Sequence, residues 1–98
     1  MTIKVVADNW IRPDAMEEFL AAANELVEQT RANDAGCLSY ALYRDLADPE
    51  HLTVLEEWES QEALNAHAAS DHFQRLFPAF GACAQAGKPG IISIYELA

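Results

Sequence analysis

Apolar positions along the chain switch several times between a two-residue and a helical period. Thr2 to Asn9, with Ile3-Lys4-Val5-Val6-Ala7 at its centre, is rich in β-branched residues and predicts a first strand. Arg12-Pro13-Asp14 ends it, because Pro13 is excluded from a helix interior and Asp14 suits a helix N-cap. From Met16, the positions Phe19, Leu20, Ala23, Leu26, Val27 and Thr30 follow the i, i+3, i+4, i+7 spacing of one buried helical face. Glu17, Glu18, Asn24, Glu25, Glu28 and Arg31 fall largely opposite, and Gly36 supplies the stop.

The period then returns to two. Cys37 to Arg44 sets Leu38, Tyr40 and Leu42 against Ser39, Ala41 and Tyr43, and Leu52 to Trp58 sets Leu52, Val54 and Trp58 against Thr53 and Leu55. The intervening Asp45-Leu46-Ala47-Asp48-Pro49-Glu50 has turn chemistry, so these two strands should form an antiparallel hairpin. Ser60 can cap a short helix and Ser70-Asp71 opens a second, running to about Gln85 with a kink expected at Pro78. Gly87-Lys88-Pro89-Gly90 breaks the chain before a last strand, Ile91 to Leu97.

That order, βαββ(α)αβ, closes most simply as an α+β, ferredoxin-like four-stranded antiparallel sheet with helices on one face. The other face would then carry a share of Val6, Ala41, Tyr43, Leu55, Ile92 and Ile94 or their alternates, which is too apolar to leave in water. A homodimer packed sheet against sheet is expected to cover it.

Composition narrows the partners. A chain of 98 residues, 51% hydrophobic and 22% charged, is one globular domain spanning 1–98. Six Lys and Arg against sixteen Asp and Glu leave a net charge of −10, which repels nucleic acid and anionic membrane surfaces. Cys37 and Cys83 lie far apart with no CxxC. No apolar run approaches the roughly 18 residues of a spanning helix, and no signal-like N-terminus precedes the first strand. A soluble, uncleaved, cytoplasmic protein is expected.

Candidate chemistry concentrates where the third strand hands over to helices. Glu56-Glu57-Trp58-Glu59-Ser60, followed by Ala63-Leu64, His67, Ser70 and His72-Phe73, resembles the signature of the antibiotic biosynthesis monooxygenase family. The first strand leading into Arg12-Pro13, the acidic helix, Gly36-Cys37 and the Ile-rich last strand extend the resemblance across the chain. It implies a dimeric α+β barrel with a pocket between sheet and helices. It also implies a quinol monooxygenase-like oxidation of a quinol or similar electron-rich aromatic with O2, needing no flavin, haem or metal cofactor. Other members process small sugar-derived molecules. Haem-degrading relatives use an Asn in the first strand, which Asn9 matches, but in the register set by Trp58, Ser70-Asp71 and Phe73 their Trp position holds His67 and their iron ligand is replaced by Phe77, which cannot ligate iron.

Oxygenation without a cofactor requires an apolar pocket, a base, and donors to a developing phenolate. His67 and His72 are the candidate bases, since an ordinary histidine is largely neutral at pH 7. In an unbroken helix residues five apart point about 140° apart, so the two converge only if the chain bends near Ser70. Asn9, Tyr40, Trp58, Phe73 and Phe77 are the candidate substrate-binding residues. For Trp58 and the Phe73, Phe77, Phe80 series core packing is the first reading and pocket lining the second, and Asn9 first serves a turn. Glu56, Glu57 and Glu59 read as a solvated charge run, and Arg75 as a solvated residue. No metal is expected, because His67 and His72 lack i, i+4 spacing and no Cys or third His lies near. Proton-transfer isomerisation of a small hydroxyketone and a non-catalytic dimeric ligand-binding module are the alternatives. The first would turn over without oxygen, and the second would return its ligand unchanged.

Overall fold

The computed structural model describes all 98 residues. Strand β1 covers Ile3–Trp10, followed by a 3-10 turn at Pro13–Ala15 and helix α1 at Met16–Asn33. The hairpin strands are β2 at Cys37–Arg44 and β3 at His51–Trp58. Three short helices follow, α2 at Gln61–Ala68, α3 at Asp71–Leu76 and α4 at Pro78–Ala82, before β4 at Ile91–Glu96. The sheet is antiparallel in the order β2-β3-β1-β4, the ferredoxin-like arrangement with the helices on one face.

Strand register assigns the faces. Ile3, Val5, Ala7 and Asn9 of β1 lie opposite Trp58, Glu56, Val54 and Leu52 of β3, and all eight are buried. Phe19, Ala23, Leu26 and Thr30 of α1 supply the facing layer, as the helical period requires. Arg31 Nε adds a 2.7 Å hydrogen bond to the carbonyl of Tyr40, tying the end of α1 to β2.

Four local expectations change. Asp14 does not cap α1; its carboxylate pairs with Arg12 at 3.3 Å, and the 3-10 turn at Pro13–Ala15 leads into the helix instead. Leu38 is exposed, because a register shift between Cys37 and Ser39 breaks the alternation at the start of β2. The helical region ends at Ala82, short of Gln85, and Pro78 divides it outright into α3 and α4. Ile92 and Ile94 pair with Ala7 and Val5 and therefore face the helices.

The outer face keeps Val6, Ala41, Tyr43 and Leu55, joined by Ile91 and Tyr95 of β4. At one end of this face His51 lies between two carboxylates, with Nε2 at 2.8 Å from Asp8 and Nδ1 at 2.9 Å from Asp45, and its ring stacks on Trp10. No helix of the chain is long and apolar enough to cross a membrane.

Candidate functional site

The turn after α1 and the break between α2 and α3 build the site. Asp34 follows the last residue of α1, and Gly36 adopts φ +82°, a left-handed conformation that glycine enters without steric cost. A Cβ on Gly36 would lie 2.7 Å from that of Ala63, so the same residue lets the turn approach α2 closely. Ser60 caps α2 by accepting from Ala63 N at 3.1 Å. Ser70 accepts from Phe73 N at 3.2 Å to start α3 and donates its hydroxyl to His67 O at 2.7 Å to close α2.

This break brings the two histidines to one carboxylate. His67 Nδ1 lies 2.6 Å from Asp34 Oδ2, and His72 Nε2 lies 2.9 Å from Oδ1. His67 is buried, with Trp58, Tyr40 and Phe73 packed around its ring at centroid distances of 4.7, 5.3 and 4.9 Å. Desolvation lowers its pKa, against the upward pull of Asp34, so the ring is neutral at pH 7. With Nδ1–H donated to Asp34, Nε2 carries the lone pair, and this nitrogen makes no hydrogen bond within the chain.

His67 lines a cleft of about 220 Å³ between the sheet and α2–α3, together with Val5, Glu56, Leu64, Phe73 and Ile94 among others. A second cleft of about 240 Å³ holds Asn9, Phe77 and Phe80 and shares Ile92 with the first. The sequence candidates are thus sorted. His67 and Phe73 line one cleft, while Asn9 and Phe77 line its neighbour. Tyr40 and Trp58 are buried beside His67 and line neither, so they shape the ring's surroundings. His72 also lies outside both clefts, secured to Asp34. Asn9 donates its amide N–H groups to the carbonyls of Ala7 and Leu52 at 3.2 and 3.4 Å, which leaves only its oxygen to meet a ligand. Arg75 is solvated as expected, paired with Glu25 at 2.7 Å on the surface.

Two participants were not anticipated. Asp34 carries no local pattern, since its partners lie 33 and 38 residues further along the chain. Glu56 is not solvated as the charge run implied; it is buried on the helix-facing side of β3 and accepts from Trp58 Nε1 at 2.9 Å. Burial pushes its pKa up to about 7, with the Trp58 N–H acting the other way. Its signal was in the sequence: position 56 shares strand parity with Leu52, Val54 and Trp58.

Asp34 also supplies the third metal-ligand type that the histidine spacing lacked, and donor atoms of Asp34, His67 and His72 lie within 4.8 Å of one another. Their mutual hydrogen bonds already satisfy the carboxylate and both facing ring nitrogens, so the group is complete as a proton-bonded cluster.

Residues 2–79 match the family model described as antibiotic biosynthesis monooxygenase. The chain is 33% identical over 64 residues to a Bacillus subtilis protein named "Putative monooxygenase YcnE", covering 65% of this chain and 66% of that one. It spans about two thirds of the length of the curated relatives it matches, from 63% of a Synechocystis protein to 68% of a Mycobacterium tuberculosis one. A conserved protein from Methanosarcina mazei superposes with a TM-score of 0.90 at 39% identity, covering 97% of this chain and 91% of that one. A structure described as an antibiotic biosynthesis monooxygenase gives 0.89 at 36% identity, covering 98% of each chain.

Proposed function

Because the chain belongs to the antibiotic biosynthesis monooxygenase family, we propose that it oxidises a quinol or similar electron-rich phenol with O2, using His67 as the base and no cofactor. The observation that carries this reading is the Asp34–His67 pair, 2.6 Å apart, whose imidazole lines an apolar cleft. Asp34 holds the ring in the tautomer with Nε2 unprotonated, the form that can accept a phenolic proton.

The substrate O–H proton goes to Nε2, and the electron pair stays on the phenolate. One electron passes to O2, the two radicals combine to a peroxy adduct on the ring, and loss of water leaves the quinone. One oxygen atom enters the product and the other leaves as water. All four electrons that reduce O2 come from the substrate, so no external reductant is needed.

Cleft size supports a substrate of one substituted ring, since an apolar cavity of roughly 150 Å³ already accepts benzene. Neither cleft is lined by a lysine or arginine, which favours an uncharged substrate over a phosphorylated sugar. The protein would act as a homodimer through its outer sheet face, where Tyr43, Leu55, Ile91 and Tyr95 are all more than 40% exposed.

Oxygen uptake with substituted hydroquinones, corrected for autoxidation, tests the reaction. His67→Ala is expected to lower kcat by about 10²–10⁴-fold, the range for a removed general base. Asp34→Asn, which frees the tautomer, should lower it by at least about tenfold. His67→Ala turning over like the wild type would sink the assignment. Turnover under strict anaerobiosis would replace oxygenation with isomerisation.

A further inference from the structure

Glu56 is a buried acid that the reaction above leaves without a task. Its Oε1 is held by Trp58 Nε1–H at 2.9 Å, and the other oxygen makes no hydrogen bond within the chain. The side chain lines the cleft that His67 lines, between Val5 of β1 on one side and Tyr40 of β2 on the other. We propose that Glu56 acts as a neutral carboxylic acid, donating its O–H to the substrate oxygen that His67 deprotonates.

The surroundings favour the protonated form. Tyr40 from β2, Trp58 from β3 and His67 from α2 are uncharged at pH 7, Cys37 is a thiol raised by burial, and no cation lines the cleft. The Asp34 carboxylate is bonded to both histidines. No cation compensates a charge on Glu56, and the Trp58 N–H offsets the cost of burial only in part, which accords with its pKa of about 7. An ionised Glu56 would repel a developing phenolate. Protonated, it offers that phenolate a donor on the wall of a partly enclosed apolar cleft, as a preorganised oxyanion site requires.

The proton accounting is simple. The substrate O–H bond breaks, its proton moves to His67 Nε2, and its electron pair stays on oxygen. The Glu56 O–H bond stays intact and hydrogen-bonds to that oxygen.

This role rests on the phenolic substrate proposed above, so the test separates the two. The probe is 4-methoxyphenol, whose hydroxyl, like that of tyrosine, ionises only near about pH 10. Its Kd, measured by calorimetry on the full chain, is expected to be nearly constant between the acid titration of His67 and about pH 7, and to weaken by up to about tenfold per pH unit above it. Glu56→Gln, whose amide keeps a donor, should bind with a Kd that no longer depends on pH there. In wild-type infrared spectra the protonated-carboxyl band should shift to lower frequency when the phenol binds, a readout that does not depend on the variant folding.

A wild-type Kd flat through pH 7, an unmoved carboxyl band, or Glu56→Gln with the wild-type profile would each overturn the role. Oxygen uptake that keeps its alkaline limb in Glu56→Gln removes this role and leaves the oxygenase standing. Phenol binding with the expected pH dependence but no oxygen uptake does the reverse. No binding at any pH overturns both.

Discussion

Glu56 and His67 face one cleft and impose opposite pH dependences on the fold. Glu56 is raised from an ordinary 4.5 to about 7, so its contribution to stability is full below about 4.5 and lost as pH rises through 7. Replacing it with Gln is expected to stabilise the protein by about 3 kcal/mol at pH 8 and by little at pH 4.5, from 1.36 kcal/mol per pKa unit. Urea unfolding at the two pH values checks this; equal effects would mean that the carboxyl is not held protonated by burial. His67 is displaced the other way, so its contribution is present above its ordinary value near 6.5 and is lost as pH falls. His51 follows the sign of Glu56: hydrogen bonding to Asp45, then to Asp8, raises it, and that contribution fades as pH rises through its folded pKa. Strand parity made part of this legible from sequence, since it turned Tyr40 and Trp58 inward and put Glu56 with them. The neighbouring Glu57 and Glu59 concealed Glu56 by making it look like one of three solvated charges. Asp34 was beyond reach, because nothing near it in the chain says that a turn will carry it to two histidines more than 30 residues away.

Among the elements, the strands and α1 follow directly from their periods, because each buries a single face. The short helices were legible only as start signals, since α2, α3 and α4 have eight, six and five residues and too few turns to show a period. Their boundaries matter most at Ser70. Its hydroxyl terminates α2 on the carbonyl of His67 and initiates α3 two residues before His72, so one side chain sets the bend that lets both rings reach Asp34. Ser70→Ala is expected to cost about 1 kcal/mol, the usual value of a lost N-cap. It should also lower oxygen uptake more than Ser60→Ala, which removes a cap at the opposite end of α2 from His67. Thermal melts and kinetics on the two variants check this; equal activity losses would show that the bend survives without the Ser70 hydroxyl.

For the whole molecule, sheet order decides which apolar surface is open. Leu55 lies between Val6 on β1 and Ala41 on β2 in the middle of the outer face, and it is 42% exposed. Leu55→Lys is expected to shift the protein towards monomer in analytical ultracentrifugation while leaving the monomer's secondary structure intact. A wild-type monomer at all concentrations would remove the sheet-to-sheet dimer.

Strand β4 has one neighbour in the sheet, β1, yet its Ile92 and Ile94 form walls of the two clefts. The Asp34–His67 pair is complete in sequence 25 residues before Ile92. Opening of β4 away from β1 would therefore leave the Asp34–His67 pair bonded while removing one side of its chamber and admitting water. With β4 paired along β1 the space is partly enclosed. An edge strand can thus expose the histidine without disturbing the hydrogen bond that orients it.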